Sequence, residues 1–223
     1  MRGIRFALAL VIAACGPPDR EDGGSGGPNG GGGPDEFAPG EACTKIDFVF
    51  VVDNSGSMAE EQANLAANFP QFISVIDQYQ TTAGTPLDYR VALTTTGRDV
   101  TFSLAIPGSP FPPISTTEYG ENGEFLQRCG MGRRWLERGD SDVAGTFACN
   151  AQVGTMGPGM EMPLYALELA LADRIADGTN DGFLREDALL ALVILTDEDD
   201  CSRRDDGFSV ADADVCAGSR PRR

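Results

Sequence analysis

Phe48–Val49–Phe50–Val51–Val52–Asp53–Asn54–Ser55–Gly56–Ser57–Met58 is the stretch on which the reading of this chain turns. An apolar run rich in β-branched residues stops at an aspartate, followed by two serines spaced two apart. Apolar side chains on both faces mark a strand buried inside a parallel sheet. A carboxylate and two hydroxyls delivered at its C-terminal end are hard oxygen donors, suited to Mg²⁺, Ca²⁺ or Mn²⁺ and poor for soft metals. Gly56 eases the turn that lets the alternate side chains converge. Read alone, the same residues also make an ordinary helix N-cap, because Asp, Asn and Ser accept from a helix's first free amides.

A second run answers the first. Leu189–Leu190–Ala191–Leu192–Val193–Ile194–Leu195 also reads as a buried strand and ends in Thr196–Asp197. After the first strand, Leu65, Phe69, Phe72, Ile73 and Ile76 recur at helical spacing and predict a helix from about Ala59 to Tyr79. Pro70 should kink or break it. Asp88 to Thr95 reads as the next strand, with Val100 to Leu104 antiparallel to it through a turn at Gly97–Arg98–Asp99. A helix is expected from Met162 to Ala176, with Leu164, Leu167, Leu171 and Ile175 inward. The fold class is therefore α/β: an open, mostly parallel, doubly wound sheet with helices on both faces. Ligands of such sheets bind beyond the strand C-termini. Periodicity fades over 107–158, which predicts a long surface insertion carrying short helices near Phe125–Leu126 or Trp135–Leu136.

This arrangement resembles the von Willebrand factor type A domain and its metal-ion-dependent adhesion site, especially the secreted or lipid-anchored forms of Gram-negative bacteria. Asp53, Ser55 and Ser57 match the family's Asp-x-Ser-x-Ser, and Asp197 matches its later aspartate. The intervening threonine falls to Thr155 in Gly154–Thr155–Met156–Gly157–Pro158–Gly159–Met160–Glu161, where Glu161 is the alternative donor or a charge at a helix N-terminus. The resemblance implies one divalent cation, Mg²⁺ or alternatively Ca²⁺ or Mn²⁺, held directly or through water by Asp53, Ser55, Ser57, Thr155 and Asp197. One open position would take an Asp or Glu of a protein partner. Arg133, Arg134 and Trp135 are candidate contacts around it. Two features depart from the family. Glu198 stands where Gly is commoner, and residues 202–223 offer no convincing buried strand where two more strands are expected. The domain, 43–223, thus reads as incomplete, with an uncovered apolar edge at 189–195.

Residues 1–14 read as a targeting segment: Arg2 and Arg5, then the apolar run Phe6 to Ile12, too short to span a bilayer. Ile12–Ala13–Ala14–Cys15 resembles a bacterial lipobox, which implies cleavage before Cys15, its lipidation, and membrane anchoring through two or more acyl chains. Gly16 after the cysteine implies the outer membrane. Residues 15–42, with Gly23–Gly24–Ser25–Gly26–Gly27 and Gly30 to Gly33, have almost nothing to bury and read as a flexible tether. Export favours disulfides, and Cys129–Cys149 and Cys201–Cys216 each close a short loop. Zinc is disfavoured because the chain has no histidine and no close Cys-x-x-Cys.

The formal charge is −17, and Arg2 and Arg5 would leave with the leader, so the remainder is more acidic still. Such a surface disfavours nucleic acid and anionic membrane faces. Function thus reads as cation-dependent protein binding by a cell-envelope lipoprotein, not catalysis. A structural envelope scaffold is the alternative. A metal-assisted hydrolase using Asp199 or Asp200 as base is weaker, since there is no histidine, one lysine and no triad. Cys201 is more simply a disulfide partner than a nucleophile.

Overall fold

The computed structural model describes residues 11–13, 44–81, 84–104, 108, 110–204 and 208–209, with only the backbone at 11–13, 104 and 208–209. Strand β1 is Val11–Ala13, β2 Lys45–Val52, β3 Asp88–Thr95, β4 Val100–Leu104, β5 Ile114–Glu118, β6 Trp135–Glu137, β7 Leu189–Leu195 and β8 Phe208–Ser209. The main sheet runs β1-β7-β2-β3-β6. Its three central strands are parallel, and each outer strand is antiparallel to its neighbour. The fold is mixed α/β.

Alternation along β2 divides the core. Phe48, Phe50 and Val52 point to one face and pack with Phe69, Ile73 and Ile76 of helix α1 (Ala59–Gln78) and Phe147 of α2 (Val143–Asn150). Val49 and Val51 point to the other, against Ala166, Leu167 and Ala170. These last three belong to α3 (Pro163–Glu168) and to the π-helical turn Leu169–Asp173 that carries it into α4 (Arg174–Ala176). Phe69 and Phe147 stack at 3.4 Å between ring centroids.

Several expectations change. Helix α1 is unbroken at Pro70, whose ring faces solvent while Phe69 and Ile73 face the core. Leu164 is exposed, because the inward stripe is Pro163, Ala166 and Leu167 of α3, continued by Ala170 in the turn that follows. Val100–Leu104 does not pair with β3. It joins β5 and β8 in a separate three-stranded sheet. The chain leaving β3 is tied elsewhere, since Thr96 and Gly97 carbonyls accept from the amides of Met162 and Asn122. Nor is 107–158 surface throughout, although Phe111, Ile114 and Tyr119 are exposed. It supplies β6 to the free edge of β3, helix α2, and the buried side chains of Phe125, Leu136 and Phe147. Trp135–Leu136 is strand rather than helix. The disulfide Cys129–Cys149 joins the approach to β6 with α2.

Val11–Ala13, the end of the apolar leader run, lies antiparallel along β7 with Val11 opposite Leu192. In the uncleaved chain it covers part of the edge that the sequence leaves open, and cleavage before Cys15 would remove it. Cys15, the tether, Cys43 and Cys216 lie outside the described residues. Cys201 is itself disulfide-bonded. Among the described residues no helix is long and apolar enough to cross a membrane.

Candidate metal site

Parallel register brings three strand ends level. Val52 is opposite both Thr95 of β3 and Leu195 of β7, so Asp53 emerges between Thr96 and Thr196. Its amide donates to the Leu195 carbonyl at 2.9 Å. Its carboxylate, fully buried, is fixed at both oxygens: Oδ1 accepts from the Ser55 amide at 2.7 Å, and Oδ2 from the Thr196 hydroxyl at 2.6 Å.

The serines complete the cluster. Ser55 Oγ and Ser57 Oγ are 3.4 Å apart, and Ser57 Oγ donates to Asp197 Oδ1 at 3.2 Å. Asp53, Ser55, Ser57 and Asp197, some 140 residues apart in sequence, therefore meet at one strand-end crevice. Ser55 does not cap α1; the residue before that helix, Met58, makes no side-chain cap.

Thr155 stands elsewhere. It lines a groove between α1 and α2 with Gln62, Ala63, Ala66 and Gln152, and no hydrogen bond joins it to the cluster. Glu161 is close instead. Its carbonyl accepts from the Cys201 amide at 2.8 Å, beyond the end of β7, while the next residue's amide donates to Thr96 at 3.2 Å, beyond the end of β3. Glu161 and Met162 thus tie the loop after β7 to the loop after β3, on either side of the end of β2. Glu161 is buried in this position. It is 1% exposed, and neither of its carboxylate oxygens has a hydrogen-bond partner. Burial, with the charges of Asp53, Glu198 and Asp197, pushes its pKa from 4.5 up to about 8. Glu198 is raised too, by burial first and then by Asp53, Asp197 and Asp199.

Neighbouring loops brace the crevice in ways the sequence reading did not find. Gln62 donates to the carbonyls of Asp53 (2.9 Å) and Gly154 (2.7 Å) and accepts from the Gly154 amide at 3.1 Å. A polar residue one turn before Ala66 on the inward stripe was the available signal. Glu121 accepts from the Thr95 hydroxyl and, at 3.5 Å, from Asn54. Asp200 and Ser202 accept from the Leu164 and Tyr165 amides and so cap α3. Arg133, Arg134 and Trp135 are not on this rim. Trp135 opens β6 and the two arginines precede it; that strand pairs with Arg90 to Ala92 upstream of the strand end, and the three bond to Asp140, Phe125 and Glu137.

The donor set is all oxygen, and an orphaned buried carboxylate beside it is what a hard cation would satisfy. Yet among the described residues no three His, Cys, Asp or Glu side chains converge closely enough to hold an ion by themselves. An ion here would depend on the serine hydroxyls as well. Set against known proteins, the chain matches no family model, no curated protein and no solved structure.

Proposed function

We propose that this chain is a cation-dependent protein-binding module of the von Willebrand factor type A kind, with a doubly wound sheet, carried by a lipid-anchored protein of the bacterial cell envelope. The observation that supports it most is the meeting of two loops. Ser57 bonds to Asp197, and Thr196 beside it bonds to Asp53. Asp53, Ser55, Ser57 and Asp197, with a fifth donor from the 154–161 loop, would hold one Mg²⁺, Ca²⁺ or Mn²⁺. When bound, that ion supplies a Lewis-acidic position open to an oxygen of a partner's Asp or Glu. The protein's own share is to fix the donors in advance. Thr196 and the Ser55 amide aim the Asp53 carboxylate, and Gln62 clamps the loop that carries Gly154 to the end of β2.

A binding module fits better than an enzyme. The chain has no histidine. Asp200, a candidate base, accepts hydrogen bonds from Ser202 and the Leu164 amide at the start of α3. Anchoring at Cys15, with delivery to the outer membrane, follows from the lipobox resemblance. Calorimetric titration with each of the three ions tests the site: the parent takes up one ion, and Asp53→Ala takes up none. No uptake by the parent would favour an envelope scaffold instead. Labelling of the expressed protein with a fatty acid, lost in Cys15→Ser, tests the anchor.

A further inference from the structure

Among the described buried groups, Glu161 has the least satisfactory surroundings. A carboxylate removed from water without a hydrogen-bond partner is strongly disfavoured in its charged form, so it either neutralises or finds a cation. The described neighbours offer no donor to it. What surrounds it is acidic: Asp53, Asp197 and Glu198.

We propose that Glu161 is a ligand of the cation, in the role that sequence pattern alone offers to Thr155, and that it biases the site toward Ca²⁺ over Mg²⁺. The proposal rests on the reading of the crevice as a cation site. Its geometric warrant is the backbone. The Glu161 carbonyl is tied to Cys201 past β7 and the Met162 amide to Thr96 past β3, which holds the residue beside the strand-end crevice, near enough for the charges of Asp53, Glu198 and Asp197 to act on its carboxyl group. Thr155 is held away by the Gly154–Gln62 clamp and faces the α1–α2 groove.

Acids gathered about one crevice repel one another, and a shared cation would remove that repulsion. With one present, Glu161 closes on it directly or through one bridging water. A third carboxylate in place of a neutral hydroxyl changes the selectivity. Calcium accepts more oxygen ligands in looser geometry, and its affinity is set by the number of charged ligands. Magnesium keeps its waters and demands a near-octahedral set.

Four proteins decide the matter in titrations with CaCl₂ and MgCl₂: the parent, Asp53→Ala, Glu161→Gln and Thr155→Val. The parent binds Ca²⁺ more tightly than Mg²⁺. Glu161→Gln loses at least tenfold in Ca²⁺ affinity, and Thr155→Val stays within twofold of the parent. In chelator, Glu161→Gln melts no lower than the parent, because the lost group is an unpaired acid. Calcium then raises the melting temperature of the parent more than that of Glu161→Gln. If Glu161→Gln binds like the parent while Asp53→Ala does not, the assignment of Glu161 fails and the cation site stands. If Thr155→Val loses tenfold, Thr155 is the ligand and the proposal is overturned, whatever the folding of the Glu161 variant. If the parent binds neither ion, both readings fall.

Discussion

The Thr196 hydroxyl donates to Asp53 Oδ2 at 2.6 Å, joining the ends of β7 and β2 through a side chain that is not itself read as a ligand. A hydrogen bond to a charged acceptor contributes about 1.5–3 kcal/mol. Here it fixes which way the Asp53 carboxylate faces. Thr196→Val should therefore lower Ca²⁺ affinity about tenfold, since each tenfold corresponds to about 1.4 kcal/mol. Thr196→Ser should keep it. Calorimetry on the two variants checks this, and parent-like affinity in Thr196→Val would show that Asp53 needs no such anchor.

The loop bearing Glu161 approaches Asn54 as closely as a glycine permits. The Gly157 amide donates to the Asn54 carbonyl at 2.9 Å, and a Cβ on Gly157 would stand 2.1 Å from Asn54 Oδ1. Asn54 is buried and also reaches Glu121, so it has little room to yield. Gly157→Ala should cost about 1–3 kcal/mol by overpacking. Gly159→Ala, with open space at its Cβ, should be close to neutral. Urea unfolding of the pair measures the difference, and equal midpoints would mean that the loop is free to move off Asn54.

Most of the main sheet is legible in the sequence because β2 and β7 carry runs that are apolar on both faces, and β3 a shorter apolar centre at Val91–Leu93. The expected ranges at Asp88–Thr95 and Leu189–Leu195 coincide with β3 and β7. Asp53, Ser55, Ser57 and Asp197 are legible for the same reason: each lies within five residues of the end of such a run. What escaped was set by tertiary pairing. Trp135–Glu137 is three residues long and becomes a strand because β3 has a free edge. Val100–Leu104 leaves the main sheet because Thr96 and Gly97 are held by distant amides. Glu161 could not be ranked above Thr155 from spacing alone. Its burial without a partner is a property of three loops meeting.

Glu161 also makes the ion-free protein sensitive to pH. Its pKa is raised from 4.5 to about 8 by burial and by Asp53, Glu198 and Asp197, so the native state keeps a proton that the unfolded chain releases. Its contribution to stability is fully present below about pH 4.5 and is lost as pH rises through about 8. Glu198, raised in the same sense, adds to the slope. In chelator the melting temperature of the parent should fall relative to that of Glu161→Gln between pH 5 and 8.5. Two curves that remain parallel over this range would place the Glu161 carboxylate in water rather than in the core.

At the other end of β2, Asp47 offers a test of stability that leaves the crevice untouched. It interrupts an otherwise apolar strand and is wholly buried, which a carboxylate tolerates only with partners. Arg185 supplies them: its amide donates to Oδ2 at 3.0 Å, and its guanidinium reaches Oδ1 at 2.9 Å from Nε and 2.7 Å from Nη2. The same guanidinium bonds to Asp88 at 2.6 Å, so the pair fastens the chain entering β7 to the starts of β2 and β3. Removing one partner of a buried pair costs about 3–5 kcal/mol, because the other charge is left uncompensated. For Asp47→Ala the loss should be at the lower end, since Asp88 still engages Arg185. A domain of this size then melts roughly 6–12 °C lower, at about 2–4 °C per kcal/mol. Asp47 and Asp53 are six residues apart on an extended strand, about 20 Å. Calcium affinity, measured below the melting transition, should therefore match the parent's. Denaturant unfolding gives the first quantity and calorimetry the second. A cost under 0.5 kcal/mol, roughly the scale of a surface substitution, would mean that water reaches Asp47 and the pair is not buried in solution.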